Sequence, residues 1–112
     1  MKMIIAVIQP TRLRAIREAL YESGVQRITI VDSQEFAKQT DHAPIYRGVK
    51  YRAEILRKVT LEIAVNDDFV DRTVEIIQTV GCTVDEGDGK IMVFPVAETI
   101  ELSPEKRGPG AI

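Results

Sequence analysis

The chain has little of what most catalytic and metal-binding proteins depend on. In 112 residues there is one cysteine, Cys82, and one histidine, His42. A single thiol excludes an internal disulfide framework and any zinc site built from paired cysteines. One His and one Cys, with no clear partner for either, supply no nucleophile–base pair, so an enzyme of the small acyl-phosphate type finds no support. Long apolar runs are missing too: none approaches the roughly 18 residues that span a bilayer. The opening MKMIIAVIQP has a short apolar stretch followed by Pro10 and the polar pair Thr11-Arg12. With no small-residue cleavage site it reads as a strand and not a signal peptide, which makes the cytoplasm the expected location. Charge of one sign is scarce as well. Fifteen basic residues stand against 17 acidic ones, for a net charge of −2, which argues against a dedicated nucleic-acid binder.

What is present is a soluble-protein composition, 45% hydrophobic and 29% charged. The length fits one domain, residues 1–112, able to bury a core without a metal or disulfide.

Residues 3–8 form a continuous, β-branched-rich apolar run, which suits a central strand buried on both faces. Pro10 ends it, and Thr11 is positioned to cap a helix. Leu13, Ile16 and Leu20 recur at helical spacing, with Arg12, Arg14, Arg17 and Glu18 on the wet side. This predicts an amphipathic helix stopped by Gly24. A second strand is expected over 25–36. From 37 to about 56 no period holds, and a loop of that length in so small a domain is expected to be flexible and functional. Val59, Leu61, Ile63 and Val65 alternate with Thr60, Glu62 and Ala64, predicting a third strand. Asn66-Asp67-Asp68 reads as a turn and helix cap, Val70, Val74 and Ile77 mark a helix over about 69–80, and Gly81 breaks it. Residues 83–89 read as a short polar loop and 91–96 as a fourth strand. Cys82 is expected to be a buried structural thiol, and the tail, about 104–112, to be mobile at its end.

The order β-α-β-(long loop)-β-α-β is the α+β, ferredoxin-like split βαβ arrangement: a four-stranded antiparallel sheet with two helices on one face. The other face has no third helix to cover it. Apolar residues of both parities in the strands predict that a second copy of the chain does so. The fold alone does not decide function. An RNA-recognition module needs aromatics on its central strands, and residues 3–8 and 59–65 have none. A phosphatase-type phosphate cradle after the first strand is unsupported, because Gln9-Pro10-Thr11-Arg12 lacks glycine.

Two segments discriminate further: IYRGVKY at 45–51 and EGDGKIMVFPV at 86–96. With the opening MKMIIAVIQP, Lys58 and the terminal Ala111-Ile112, they resemble the nitrogen regulatory PII signal-transduction family over the whole chain. The resemblance implies a homotrimer that binds ATP, ADP or AMP, with Mg as a companion ion, in the clefts between subunits. It implies a regulator and not an enzyme, whose long loop (37–56) engages a membrane transporter or metabolic enzyme, in nitrogen regulation. It places nucleotide contacts at Thr29, Lys38, Ala64, Gly87, Asp88, Gly89 and Lys90. It places 2-oxoglutarate contacts at Gln39 and Lys58, and a modified tyrosine at Tyr51. The Gly87-Asp88-Gly89-Lys90 turn also has a physical rationale of its own, since glycines let backbone N–H groups approach phosphate and a lysine adds charge.

The departures from the family pattern are as informative. Ahead of the GDGK turn the family has Thr-Gly-Lys, whereas this chain has Thr83-Val84-Asp85-Glu86. Where the family places two arginines on the phosphates, it has Glu101 and Ser103. Three cations are gone and carboxylates stand near the expected phosphates, which repels a triphosphate. Lys106-Arg107 in the tail are candidate substitutes. The expectation is weaker ATP binding, a shift towards ADP or AMP, or a divergent scaffold with a non-functional cleft that acts by loop contacts or senses another small anion. Around Gln39 the family's glycines and lysine have become Ala37, Thr40 and Asp41, which hinders a loop from wrapping an oxoacid. Lys50 replaces the glutamate that precedes the modified tyrosine. The segment 37–58 carries six basic and two acidic residues, net +4, leaving −6 on the rest. A basic arm on an acidic body suits an acidic target surface.

Overall fold

A computed structural model describes residues 1–40, 51–83, 89–103 and 106–112, with backbone alone at 37–40 and 51–54. The strands are β1 (Lys2–Ile8), β2 (Thr29–Thr40), β3 (Tyr51–Val65) and β4 (Lys90–Pro95), and the helices are α1 (Leu13–Glu22) and α2 (Asp67–Gly81). The four strands form one antiparallel sheet in the order β2-β3-β1-β4. This is the predicted ferredoxin-like arrangement, with β1 central.

The core lies between the sheet and the helices. Ile4, Ala6 and Ile8 of β1 are buried on that face, as are Val59, Leu61, Ile63 and Val65 of β3; Ile16 and Leu20 of α1 and Ile77 of α2 close it from above. Fully burying each large aliphatic side chain contributes about 1.5–3 kcal/mol, so the alternation in β3 is enough to fix its register. The continuous apolar run in β1 predicts burial on both faces. Instead Met3, Ile5 and Val7 are half-buried while their neighbours are buried, because among the described residues of one subunit no layer covers the second face.

α1 ends as its glycine predicts, and α2 runs through Gly81, one residue past the expected end. The N–H of Gly24 donates to the Tyr21 carbonyl at 3.1 Å with φ +102°, a left-handed stop that glycine takes without strain. The start of α1 differs from expectation. Pro10–Arg12 form a 3-10 turn, Arg12 takes the cap position, and its side chain makes no capping hydrogen bond. Asn66 holds the cap position of α2, but its side chain does not cap. Its Nδ2 donates to the Pro109 carbonyl at 3.2 Å, and its Oδ1 is buried with no partner among the described residues. Thr73, unremarkable in the sequence, is fully buried and returns its hydroxyl to the Phe69 carbonyl at 2.7 Å.

Two further expectations need correction. The aperiodic stretch does not begin at 37 or end at 56, because β2 and β3 stay paired from Thr29↔Glu62 out to Thr40↔Tyr51. Only residues 41–50, which lie outside the described residues, separate the two strands. Cys82 is exposed, since the chain leaves α2 there in an extended conformation. The described part of the tail, residues 106–112, folds back onto the body. Arg107 pairs with Glu98, Gly108 N–H donates to the Thr99 carbonyl at 2.7 Å, and Gly108–Ala111 form a 3-10 turn. No helix among the described residues is long and apolar enough to cross a membrane.

Candidate functional site

The candidate residues fall into two groups at opposite edges of the sheet. Thr29 opens the edge strand β2 and faces Glu62 across the ladder. Glu62 in turn faces Ile5, and Ile5 faces Met92 of the other edge strand. Residues directly opposite share a face, so Thr29, Glu62 and Ala64 stand together on the helix-free face at the β2 end. Ala64 is half-buried there, while Thr29 and Glu62 are exposed. The alternation of Thr60, Glu62 and Ala64 could have flagged Glu62 as a member of this group.

Gly89 and Lys90 stand at the β4 end. Lys90 is exposed and pairs with Val7. Gly89 has φ +140°, and a Cβ built on it would fall 1.7 Å from the Val7 carbonyl oxygen. The turn into β4 thus presses its backbone onto the end of β1, and glycine is required there whatever the ligand. These residues border a cleft of ≈ 410 Å³ walled by Val74, Ile77, Gln78, Cys82 and Ile91. Gly87 and Asp88 lie outside the described residues, as do Asp85 and Glu86.

Three strand-to-strand steps separate Thr29 from the β4 edge, roughly 15 Å at the usual spacing. The intervening surface is the half-buried apolar strip of Met3, Ile5 and Val7, a poor path for a phosphate chain.

The 2-oxoglutarate candidates sit along the hairpin. Lys58 is 3% exposed, and its Nζ lies 4.0 Å from Glu35 Oε2. Next to them Thr60 donates its hydroxyl to Ser33 Oγ at 3.0 Å. The backbone places Lys38 opposite Ala53, Gln39 opposite Arg52, and Tyr51 opposite Thr40; the side chains of these three candidates lie outside the described residues. Among the described residues no group of three His, Cys, Asp or Glu side chains could hold a metal ion.

Of the candidate replacement cations in the tail, Arg107 is engaged with the Glu98 carboxylate, and the Lys106 carbonyl accepts from Glu101 N–H at 3.1 Å. A second cavity of ≈ 260 Å³, which no pattern in the sequence marks, opens at the Thr29 end. It lies where the lead-in to β2 diverges from the end of β3, and Gln26, Arg27, Ala64, Asn66, Phe69 and Ile112 are among its walls. A single arginine two residues ahead of Thr29 was the available signal.

Comparison with known proteins places this geometry. The family profile "Nitrogen regulatory protein P-II" matches residues 1–106. The chain is 40% identical to the nitrogen regulatory protein P-II of Rhodospirillum rubrum over 112 residues, covering 100% of both. It is 41% identical to P-II 1 of Escherichia coli strain K12, again over 100% of both. Among solved structures it is similar to B. subtilis GlnK, with a TM-score of 0.83, 29% identity and coverage of 99% of this chain and 97% of that one. A B. subtilis GlnK–ATP complex gives a TM-score of 0.84 at 29% identity, covering 99% and 96%. With a profile match across nearly the whole chain, full-length relatives and a shared fold, the protein belongs to the nitrogen regulatory protein P-II family.

Proposed function

We propose that this protein is a homotrimeric, cytoplasmic signalling regulator. It binds an adenine nucleotide between subunits and acts on a target protein through the segment between β2 and β3; it is not an enzyme. The observation that carries this reading is the division of the candidate site. Thr29 on the edge strand β2 with Ala64 beside it on β3, and Gly89 and Lys90 at the β4 edge, are separated within a subunit by an apolar strip that is a poor path for a phosphate chain. A head-to-tail ring of identical chains brings the β2 edge of one subunit to the β4 edge of the next, and three such contacts close. The same packing covers the apolar strip that one chain leaves half-exposed. The B. subtilis GlnK–ATP complex supports an adenine nucleotide as the occupant.

Gly87, Asp88 and Gly89 then offer backbone N–H groups to phosphate, with Lys90 as the counter-charge and Mg as a companion ion. Lys38 approaches from the hairpin. Gln39 and Lys58 form the 2-oxoglutarate subsite, and Tyr51 is the modification candidate. The ligand acts by its different affinity for two states of the hairpin tip, which is all that regulation requires. The net positive charge of 37–58 favours an acidic surface on the target, either a membrane transporter or a metabolic enzyme in nitrogen regulation.

A second reading has its own observation. Glu101 and Ser103 stand where cations are expected, and Arg107 is occupied by Glu98. On that reading the cleft takes no nucleotide, and the protein works by constitutive hairpin contacts or senses another small anion.

Calorimetric titration of the trimer, verified by light scattering, separates the two. ATP, ADP and AMP are each titrated with and without Mg and 2-oxoglutarate. Micromolar binding of any nucleotide is the expected result, with ADP or AMP favoured over ATP. No heat from any of them would leave the second reading standing.

A further inference from the structure

We infer that Arg27 is a phosphate-binding cation of the nucleotide site, a role that rests on the nucleotide reading above. The cavity at the β2 end is formed by a divergence. The last ladder pair is Thr29↔Glu62, and two residues earlier the chain has left the ladder, so Arg27 stands level with Ala64 across an open gap of ≈ 260 Å³. Val25, Val65 and Phe69 line the gap together with the polar Gln26 and Asn66 and with Ile112. Arg27 is exposed and, among the described residues, is the one cation lining the gap.

Four other cations of the described residues are committed or stand elsewhere. Arg107 is paired with Glu98. Arg72 lies 5.0 Å above the Phe69 ring and donates to the Ser23 carbonyl at 3.2 Å. Lys58 is buried beside Glu35, and Lys90 is at the opposite edge. Among the described residues no hydrogen bond or ion pair engages the Arg27 side chain. A guanidinium left free beside an open gap presents a planar fork of donors that matches a phosphate group.

The gap is smaller than the roughly 300 Å³ at which small-molecule sites begin, so it holds part of a nucleotide. A base or ribose placed over Thr29 and Ala64 puts its phosphate within the reach of Arg27. The chain thus restores at position 27 one of the positive charges absent at 101 and 103.

Arg27→Gln and Arg27→Lys variants, checked for trimer assembly and melting temperature, are titrated with ADP and with adenosine. Arg27 has no partner among the described residues of the subunit, so both variants are expected to fold. The expected result is a loss of about tenfold or more in ADP affinity for Arg27→Gln, a change of less than about threefold for adenosine, and partial rescue by Arg27→Lys. Unchanged ADP binding by Arg27→Gln would overturn the assignment, as would equal weakening of ADP and adenosine, which would mean that Arg27 only shapes the cavity. A wild-type protein that binds neither ligand would sink the nucleotide reading itself, and this inference with it.

Discussion

Gly89 and the carbonyl oxygen of Val7 are so close that a Cβ on residue 89 would stand 1.7 Å from that oxygen. The glycine is also held at φ +140°, where an L side chain is strained. Gly89→Ala therefore costs stability before any ligand is considered. The loss is expected to exceed about 2 kcal/mol by denaturant unfolding, since strained backbone and overpacking add. Loss of nucleotide binding in this variant would carry no information about phosphate contacts unless the fold were first shown intact. A Gly89→Ala protein as stable as the wild type would contradict the close approach.

The parts of the fold that bury a face were legible in the sequence. Leu61, Ile63 and Val65 alternate because one side packs on helices and the other does not, and Ile16 and Leu20 repeat at helical spacing for the same reason. The outer hairpin was illegible because no described layer covers it. Phe36 and Ile55 face each other in register yet are 71% and 65% exposed, so nothing there imposes an alternation to read. Cys82 misled because hydrophobic character says little at a helix exit. The candidate site residues were named through family resemblance alone. The division of the site between two edges was not legible, because which strands are neighbours is a property of topology. Arg27 escaped notice because an arginine before a strand looks like any solvated side chain until the gap beside it is known.

Lys58 and Glu35 offer a test of the buried charge. Lys58 is 3% exposed, with Glu35 Oε2 at 4.0 Å. Removing the carboxylate while keeping the ammonium should hurt more than removing the ammonium. Glu35→Gln is expected to lower stability by about 1 kcal/mol, while Lys58→Met, which fills the same space without desolvating an ammonium, should be neutral or stabilising. Denaturant midpoints check both. If Gln39 and Lys58 form the oxoacid subsite, Lys58→Met will also lose any 2-oxoglutarate response despite its intact fold, which separates function from stability.

Asp67 gives a pH dependence of known sign. It accepts a hydrogen bond from the Met1 ammonium at 2.7 Å, and that bond first, then the ammonium's charge and a smaller effect of Lys2, hold its carboxyl below the ordinary value. A depressed folded-state value contributes stability that is complete above about pH 3.9, the unfolded carboxylate value, and is lost as pH falls through the lower folded value. Wild type and Asp67→Asn should therefore differ by a constant amount at neutral pH and converge in the acid limb. Asp67 is exposed, so the difference in melting temperature should be small. Curves that stay parallel well below the ordinary carboxylate value would refute the pairing.

The division of the site between β2 and β4 makes the sharpest prediction, because it concerns assembly and not affinity. Thr29→Glu disables one edge and Lys90→Glu the other, and both positions are exposed, so both proteins should fold. On the trimeric reading proposed above, each alone should assemble with no functional cleft. In a ring where every cleft takes one edge from each of two neighbours, co-refolding the variants in equal amounts rebuilds clefts in which both edges are wild type. Random assembly makes this about a quarter of all clefts. The titration stoichiometry of the mixture should recover to that fraction, with wild-type affinity at the rebuilt clefts. A site contained within one subunit would recover nothing, since every chain in the mixture still carries one lesion. The experiment therefore distinguishes a shared cleft from a private one without knowing which nucleotide is preferred, provided that the wild type binds one.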